Sequence, residues 1–201
     1  MPAHRLRGAL LAALAVTTVA GCSSEPEPPP TYRLNGGDAC AVVNTADFEA
    51  LTKDSPSKTP SNLVSGLEGG NCAMEFEGSG GYVTLTTFIA IHPSGESAAK
   101  VMYDDFRKND DKRSGPGTDL TVTDVEGLGT AAYLYRQHDD SKPWVSDDLW
   151  LYKYLVRHGS LVLTVTGTGI SRDTAAWPTV EQEVRDKVKK SAEDTMKALK
   201  A

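Results

Sequence analysis

Alternation of apolar and polar positions along the chain predicts two hairpins. In residues 72–76 and 82–91 apolar or β-branched side chains occupy every second position, and a glycine-rich turn separates the two runs. Residues 149–157 and 160–168 repeat the pattern on either side of His158-Gly159, a good two-residue hairpin turn. Since successive side chains of a strand point to opposite faces, these four runs predict antiparallel strands.

Apolar positions three and four residues apart predict three helices. They cover residues 45–52, 95–109 and 178–200. The positions expected to face inward are Phe48 and Leu51 in the first helix, Ala98, Val101, Met102 and Phe106 in the second, and Val180, Val184, Val188, Ala192, Thr195 and Leu199 in the third.

Two shorter strands, over residues 120–124 and 131–137, complete the predicted fold. Polar loops are expected at 53–70, 109–118 and 138–147. The order along the chain is then helix, two strands, helix, four strands, helix. This order predicts an α+β fold, a single domain in which a mainly antiparallel sheet of about six strands is packed with three helices.

The first 22 residues predict export and a lipid anchor. Arg5 and Arg7 precede an uncharged run, rich in Ala, Leu and Val, that is too short to span a bilayer. The run ends in Val19-Ala20-Gly21-Cys22, which resembles a bacterial lipobox. That resemblance implies cleavage after Gly21 and a diacylglyceryl thioether on Cys22; an ordinary cleaved signal is the alternative.

The predicted organisation is a lipoprotein signal peptide at 1–21, a lipidated cysteine and proline-rich tether at 22–38, and an extracytoplasmic α+β domain at 39–201. Without the signal peptide the chain has 19 basic residues against 27 acidic ones, a formal charge of −8. This charge argues against nucleic acid as a partner and against attraction to anionic lipids. We therefore expect attachment to the extracytoplasmic face of the cell membrane through the lipid on Cys22.

Cys40 and Cys72 remain as a pair once Cys22 carries a lipid. Outside the cytoplasm a disulfide between them is the natural expectation. The alternative is a two-cysteine metal or redox site, but the spacing is long and no histidine lies near either residue. In the chain-entropy model such a cross-link contributes about 3–4 kcal/mol to stability.

Aromatic residues are the candidates for ligand binding. Trp150, Tyr152 and Tyr154 are two residues apart, so they are expected to share one face of a strand. Together with Tyr133 and Tyr135 they could line a groove for a sugar or a peptide, since aromatic faces bury area without needing charge. The alternative is that these rings pack under helices.

No motif in the chain identifies a catalytic site. The sequence lacks Gly-x-Ser-x-Gly, Ser-x-x-Lys followed by Lys-Thr-Gly, and His-Glu-x-x-His. His138-Asp139-Asp140 is the only local cluster with metal-ligand chemistry, and solvated loop side chains are the simpler interpretation. We therefore expect no enzyme activity, no metal and no cofactor.

Three segments resemble those of small actinobacterial lipoproteins of unknown function. They are GDACAVVNTADFEAL (37–51), GGNCAMEF (69–76) and VEGLGTAAYLY (125–135). Those proteins commonly pair a cysteine before the first helix with one on the first strand, and Cys40 and Cys72 occupy the matching places. The resemblance implies a fold similar to PsbP/Mog1-like antiparallel α/β sandwiches, and it transfers no catalytic residue.

These features predict a lipid-anchored binding or accessory lipoprotein of the cell envelope, without catalysis. Its partner would be an envelope protein or a small envelope ligand. Two alternatives stay open: an envelope hydrolase with an unrecognised site, and a sensory or structural partner of a membrane protein that uses the loop at 109–118 or the aromatic face.

Overall fold

Seven strands form one antiparallel sheet in the computed structural model, which describes residues 30–52, 57–62, 67–78, 81–114, 120–139, 148–171 and 177–201. The strands are β1 (Ser57–Asn62), β2 (Glu68–Gly78), β3 (Gly81–Ile91), β4 (Leu120–Asp124), β5 (Ala131–Asp139), β6 (Asp148–His158) and β7 (Leu161–Ser171). Their order across the sheet is β1-β2-β3-β7-β6-β5-β4. The predicted single α+β domain is confirmed, with one strand more than the six expected.

Three helices pack against this sheet: α1 (Ala46–Thr52), α2 (Glu96–Arg113) and α3 (Trp177–Leu199). Helix α3 lies against β6 and β7, and the shorter α1 contacts β2. Helix α2 contacts β4, β6 and β7, where it covers a second group of buried residues. We call the side of the sheet under α3 the α3 face and the side under α2 the α2 face.

The apolar stripe of α3 fills most of the α3 face. Five of the predicted inward positions are at most 1% exposed: Val184, Val188, Ala192, Thr195 and Leu199. The sixth, Val180, has a side chain outside the described part of the chain. In the first helix Phe48 is fully buried, as predicted, and the side chain of Leu51 is likewise outside the described part.

The turn between β6 and β7 lies one residue later than predicted. His158 pairs with Leu161, so Gly159 and Ser160 form the two-residue connection. Gly159 has a φ of 55°, in the left-handed region that glycine adopts without steric cost. The glycine therefore fixes the turn, and the pattern around it located the hairpin correctly to within one position.

The folded domain begins earlier than the predicted boundary at residue 39. Tyr32 and Leu34 are 2% and 4% exposed and belong to the core of the α3 face. We call residues 31–34 the N-terminal strap. The assignment of 22–38 to a tether is therefore wrong for its last part, because these two apolar side chains are packed rather than solvated.

Strand β1 lies inside the segment that was expected to be a loop, 53–70. Its sequence, Ser-Lys-Thr-Pro-Ser-Asn, has no apolar alternation, and only its backbone pairing with β2 makes it a strand. Pro60 has no N–H to donate, which an edge strand tolerates. The loop prediction failed here because pairing with a neighbour, which leaves no mark on the pattern, decided the structure.

Helix α2 also departs from its predicted limits. It continues to Arg113, so the first residues of the loop expected at 109–118 are helical. Val101 was expected to face inward but is 63% exposed, whereas Ala99 and Tyr103 are buried. The inward face is rotated because Tyr103, rather than Val101, meets the aromatic residues of the sheet.

Candidate functional site

The three cysteines of the chain have different positions. Cys40 and Cys72 form a disulfide with their Cα atoms 5.0 Å apart, and they are 6% and 0% exposed. The predicted disulfide is confirmed. Cys22, the predicted lipidation site, lies outside the described residues.

The five aromatic candidates do not line one groove. Trp150, Tyr152 and Tyr154 share a strand face, as predicted, but this is the α3 face, and they are only 0–3% exposed. Tyr133 and Tyr135 lie on the α2 face and are 0% and 6% exposed. A joint groove is therefore wrong. Tyr133 is directly opposite Leu155 and Tyr135 is opposite Lys153, so both tyrosines lie on the side of β6 away from the aromatic row.

Close packing explains why the row on the α3 face is covered. Trp150 is directly opposite Gly169 on β7, and a Cβ on that glycine would overlap the indole ring. A Cβ on Gly167 would lie 2.6 Å from Val188 Cγ2 of α3. The two glycines therefore let the indole and the helix approach the strand closely. In the same row, burial raises the pKa of Tyr154 to about 12.

The α2 face contains a buried polar cluster formed by Asp110, Tyr133 and Lys153, which we call the Asp110 cluster. Tyr133 Oη donates a hydrogen bond to Asp110 Oδ2 at 2.7 Å, and Lys153 Nζ donates to the same oxygen at 2.5 Å. The Asp110 side chain is 6% exposed and that of Lys153 is 20% exposed. A buried carboxylate is tolerated here because both a cation and a hydroxyl satisfy it.

Strand pairing and helix periodicity bring these three residues together. Lys153 of β6 is directly opposite Tyr135 of β5, and Tyr133 lies two residues before it on the same face. Asp110 follows Tyr103 by seven residues, which is close to two helical turns, so both face the sheet. The last turn of α2 therefore places Asp110 within hydrogen-bond distance of Tyr133 and Lys153.

Rings and cations extend the cluster. Tyr103 and Tyr133 make an edge-to-face contact with their centroids 5.7 Å apart. The Arg107 guanidinium carbon lies 4.9 Å from the centre of the Tyr133 ring, and Lys153 Nζ lies 4.4 Å from that of Tyr135. Each cation–π contact of this kind contributes about 0.5–2 kcal/mol, according to how far it is desolvated.

The tyrosines of this face remain protonated at neutral pH. Burial, followed by the hydrogen bond to Asp110, raises the pKa of Tyr133 far above its ordinary value. Burial is also the main cause that raises the pKa values of Tyr103 and Tyr135. Neutral phenols both donate and accept hydrogen bonds, and those of this face hold their protons at neutral pH.

A shallow hollow of about 420 Å³ lies on the outer side of α2. Its described lining residues are Asp104, Arg107, Lys108, Asp111 and Lys112. Arg107 is already engaged there, since Nε donates to Asp111 at 3.0 Å and Nη1 donates to Asp124 Oδ1 at 2.5 Å. The lining of the hollow therefore contains charges of both signs, and its Arg107 is paired with two carboxylates.

The sequence did not reveal the Asp110 cluster. The loop expected at 109–118 included Asp110, so nothing placed this carboxylate on the buried face of a helix. The spacing of seven between Tyr103 and Asp110 is the signal that could have placed the carboxylate on the inward face of the helix.

Metal ligation has no support among the residues that the structure describes, where no group of three or more His, Cys, Asp or Glu side chains is placed to hold an ion. Of His138-Asp139-Asp140 only His138 has a described side chain, and it is half-buried. None of the helices in the described ranges is long and apolar enough to cross a membrane.

Comparisons with family models, with curated proteins and with solved structures found no match to this chain. The resemblance to actinobacterial lipoproteins and to PsbP/Mog1-like domains stays a prediction. The candidate functional features are therefore those of the chain itself: the anchor motif, the disulfide, the strap and the Asp110 cluster.

Proposed function

We propose that this protein is a lipid-anchored extracytoplasmic lipoprotein of the cell envelope that works by binding, as an accessory module, and not by catalysis. Cys22 carries the lipid, and the domain that starts at the N-terminal strap is held at the outer face of the membrane. The partner is an envelope protein or a small envelope ligand that meets the outer surface of the domain.

The disulfide between Cys40 and Cys72 is the observation that carries this proposal. Disulfides persist in oxidising compartments outside the cytoplasm, so the bond supports export. It also uses two of the three cysteines of the chain and leaves Cys22, directly after Val19-Ala20-Gly21, as the third. A lone cysteine in that position suits lipidation, and two acyl chains make the anchoring stable.

A non-catalytic role is supported by the Asp110 cluster. Its carboxylate accepts from both Tyr133 and Lys153, and the phenol stays neutral because its pKa is raised. Asp110, the one carboxylate of the cluster, is 6% exposed and already accepts both donors, so it is not presented to a substrate. Its buried polar contacts instead fix the position of α2, whose outer side remains available to a partner.

Cys22→Ala tests the anchor. Cells that express the full chain should incorporate an alkyne analogue of palmitate into the wild type and not into the variant, and the variant should leave the membrane fraction. Ser23→Ala is the matched control and should behave as the wild type. Retention of Cys22→Ala in membranes, or labelling that does not depend on Cys22, would overturn the proposal.

The binding role is tested on the exposed side of α2. Val101 is 63% exposed there, the only large apolar side chain so exposed among the described residues. A photo-crosslinking residue at Val101 of the lipidated protein in intact cells should give one discrete adduct, and the same residue at the neighbouring Lys100 should give less. Equal, diffuse crosslinking at both positions would count against a specific partner on this helix.

A further inference from the structure

We propose, resting on the lipid anchor at Cys22, that the domain stands on the membrane in one orientation, with the end that contains the N-terminal strap towards the lipid headgroups. This strap end comprises the strap itself, the turn at Gly159 and Ser160, and the start of α2. The partner of this surface is the bilayer, and the opposite end of the sheet points away from it.

The strap holds the entry point of the chain at this end. Arg33 N donates to Leu199 O at 2.9 Å, and Ala201 N donates to Thr31 O at 3.0 Å. Leu34 N donates to Glu68 Oε1 at 2.6 Å. The side chain of Tyr32 is buried and shares a hydrogen bond of 2.5 Å with His158 Nδ1.

The length of the remaining tether limits how the domain can turn. Nine residue steps separate Cys22 from Thr31, and a fully extended chain of that length reaches at most about 32 Å. Helix α3 runs from the opposite end to the strap end, and its 23 residues span about 34 Å. For the opposite end to touch the bilayer, the tether would have to be nearly taut along the whole domain, which costs most of its conformational entropy.

The packed strap keeps the tether too short for the domain to invert. If the tether extended to residue 38, as the sequence suggested, sixteen steps would reach at most about 58 Å. That length would let the domain turn over freely. Packing of Tyr32 and Leu34 in the core therefore removes the slack that inversion needs.

Charge does not explain the orientation. The exposed charged side chains at the strap end have both signs, namely Arg33, Lys197, Lys200, Glu68, Glu96 and Glu126. Attraction to anionic lipids and repulsion from them nearly cancel there. The orientation is accordingly expected to be the same on neutral and anionic membranes and to be insensitive to salt.

Energy transfer to the membrane tests the orientation in the full lipidated chain. A donor dye is attached to Thr130→Cys, at an exposed position of the strap end, or to Glu183→Cys, at an exposed position in the first turns of α3, towards the opposite end. The protein is reconstituted in phosphatidylcholine vesicles that contain a headgroup-labelled acceptor. Transfer should be at least twofold greater from position 130, at low and at high salt.

A tether variant provides the control. Insertion of sixteen Gly/Ser residues after Glu27 should bring the two positions to nearly equal transfer, because the added length permits inversion. Equal transfer from the two positions in the wild-type tether, with the protein bound to the vesicles, would overturn the orientation and leave the anchor intact. Failure of the lipidated protein to float with the vesicles would overturn the anchor, and the orientation with it.

Discussion

The two faces of the sheet are built differently. The α3 face is a large apolar core that includes the disulfide, α1, the N-terminal strap and the aromatic row of β6. The α2 face is a smaller group of tyrosines, alanines and aliphatic residues, and the Asp110 cluster lies within it. Apolar burial therefore dominates one face, whereas the other combines burial with satisfied polar groups.

This difference separates stability from specificity. Burial of apolar area contributes about 25 cal/mol per Å² and does not depend strongly on direction, so the α3 face supplies most of the stabilisation. Buried polar groups must meet partners of fixed geometry, and leaving one unpaired costs about 1–3 kcal/mol. The Asp110 cluster therefore fixes the position of α2 on the sheet more than it stabilises the fold.

The largest expected effect is removal of the disulfide from the α3 face. Cys40→Ala with Cys72→Ala should lower the free energy of unfolding by about 3–4 kcal/mol, because the bond closes a loop of 32 residues in the unfolded chain. Urea unfolding measures the loss. Reductant should lower the wild type to the same value and leave the double variant unchanged, and an unchanged wild-type midpoint would contradict the prediction.

On the α2 face, Asp110→Asn should lower the free energy of unfolding by about 2–3 kcal/mol. The amide removes the buried negative charge that Lys153 and Tyr133 share, and hydrogen bonds to charged groups contribute about 1.5–3 kcal/mol. Asp111→Asn is the matched control: its side chain is 48% exposed, so its loss should be below about 1 kcal/mol. Similar losses in the two variants would show that the Asp110 cluster has no special weight.

Close packing on the α3 face gives the next effect. Gly169→Ala should cost about 1–2 kcal/mol, since the new methyl group overlaps the Trp150 ring and forces it to move. In Gly169→Ala both the tryptophan fluorescence of the folded protein and the unfolding midpoint should differ from those of the wild type. Trp150→Leu in the Gly169→Ala chain should relieve the overlap, so the double variant should lose less free energy of unfolding than the two single variants lose together. A loss equal to that sum, or larger, would argue against this contact.

The smallest expected effect is a pH dependence from two histidines at the strap end. Burial lowers the pKa of His158, which lies on the α3 face, and that of His92. The unfolded chain then binds protons first as the pH falls below the ordinary value of about 6.5. Their contribution to stability is therefore present above that pH and is lost as the pH falls through the lowered folded values.

Unfolding free energies between pH 7.5 and 5 measure this term. His158→Gln and His92→Gln should each flatten the decline. If the slope stays unchanged in both variants, or if stability rises on acidification, other groups control the pH dependence.

The sequence predicted the features that depend on the spacing of apolar residues and on the number of cysteines. The pattern located six of the seven strands, and the stripe of α3 was correct at every described position. Setting Cys22 aside left Cys40 and Cys72, the pair that is bonded. Parity also placed Trp150, Tyr152 and Tyr154 on one face. It could not indicate which face a helix would cover.

The features that were missed depend on partners far along the chain. Strand β1 is a strand through its pairing with β2, and Asp110 is buried where it accepts hydrogen bonds from Tyr133 and Lys153. Tyr32 is held by His158, 126 residues away. A local pattern of apolar and polar positions contains no information about such contacts, so the strap and the Asp110 cluster required the folded structure.

The strap brings the two ends of the described fold together. Thr31 and Ala201 are joined by a hydrogen bond, so the described fold returns to where it began. A short peptide link between these residues would make it a ring, and a ring can be opened elsewhere, for example in the connection between β5 and β6. Such a circular permutant would keep the same sheet, and the proposed lipid anchor would then emerge from the opposite end. The position at which the tether joins the domain therefore depends on where the chain is opened, and it can change while the fold stays the same.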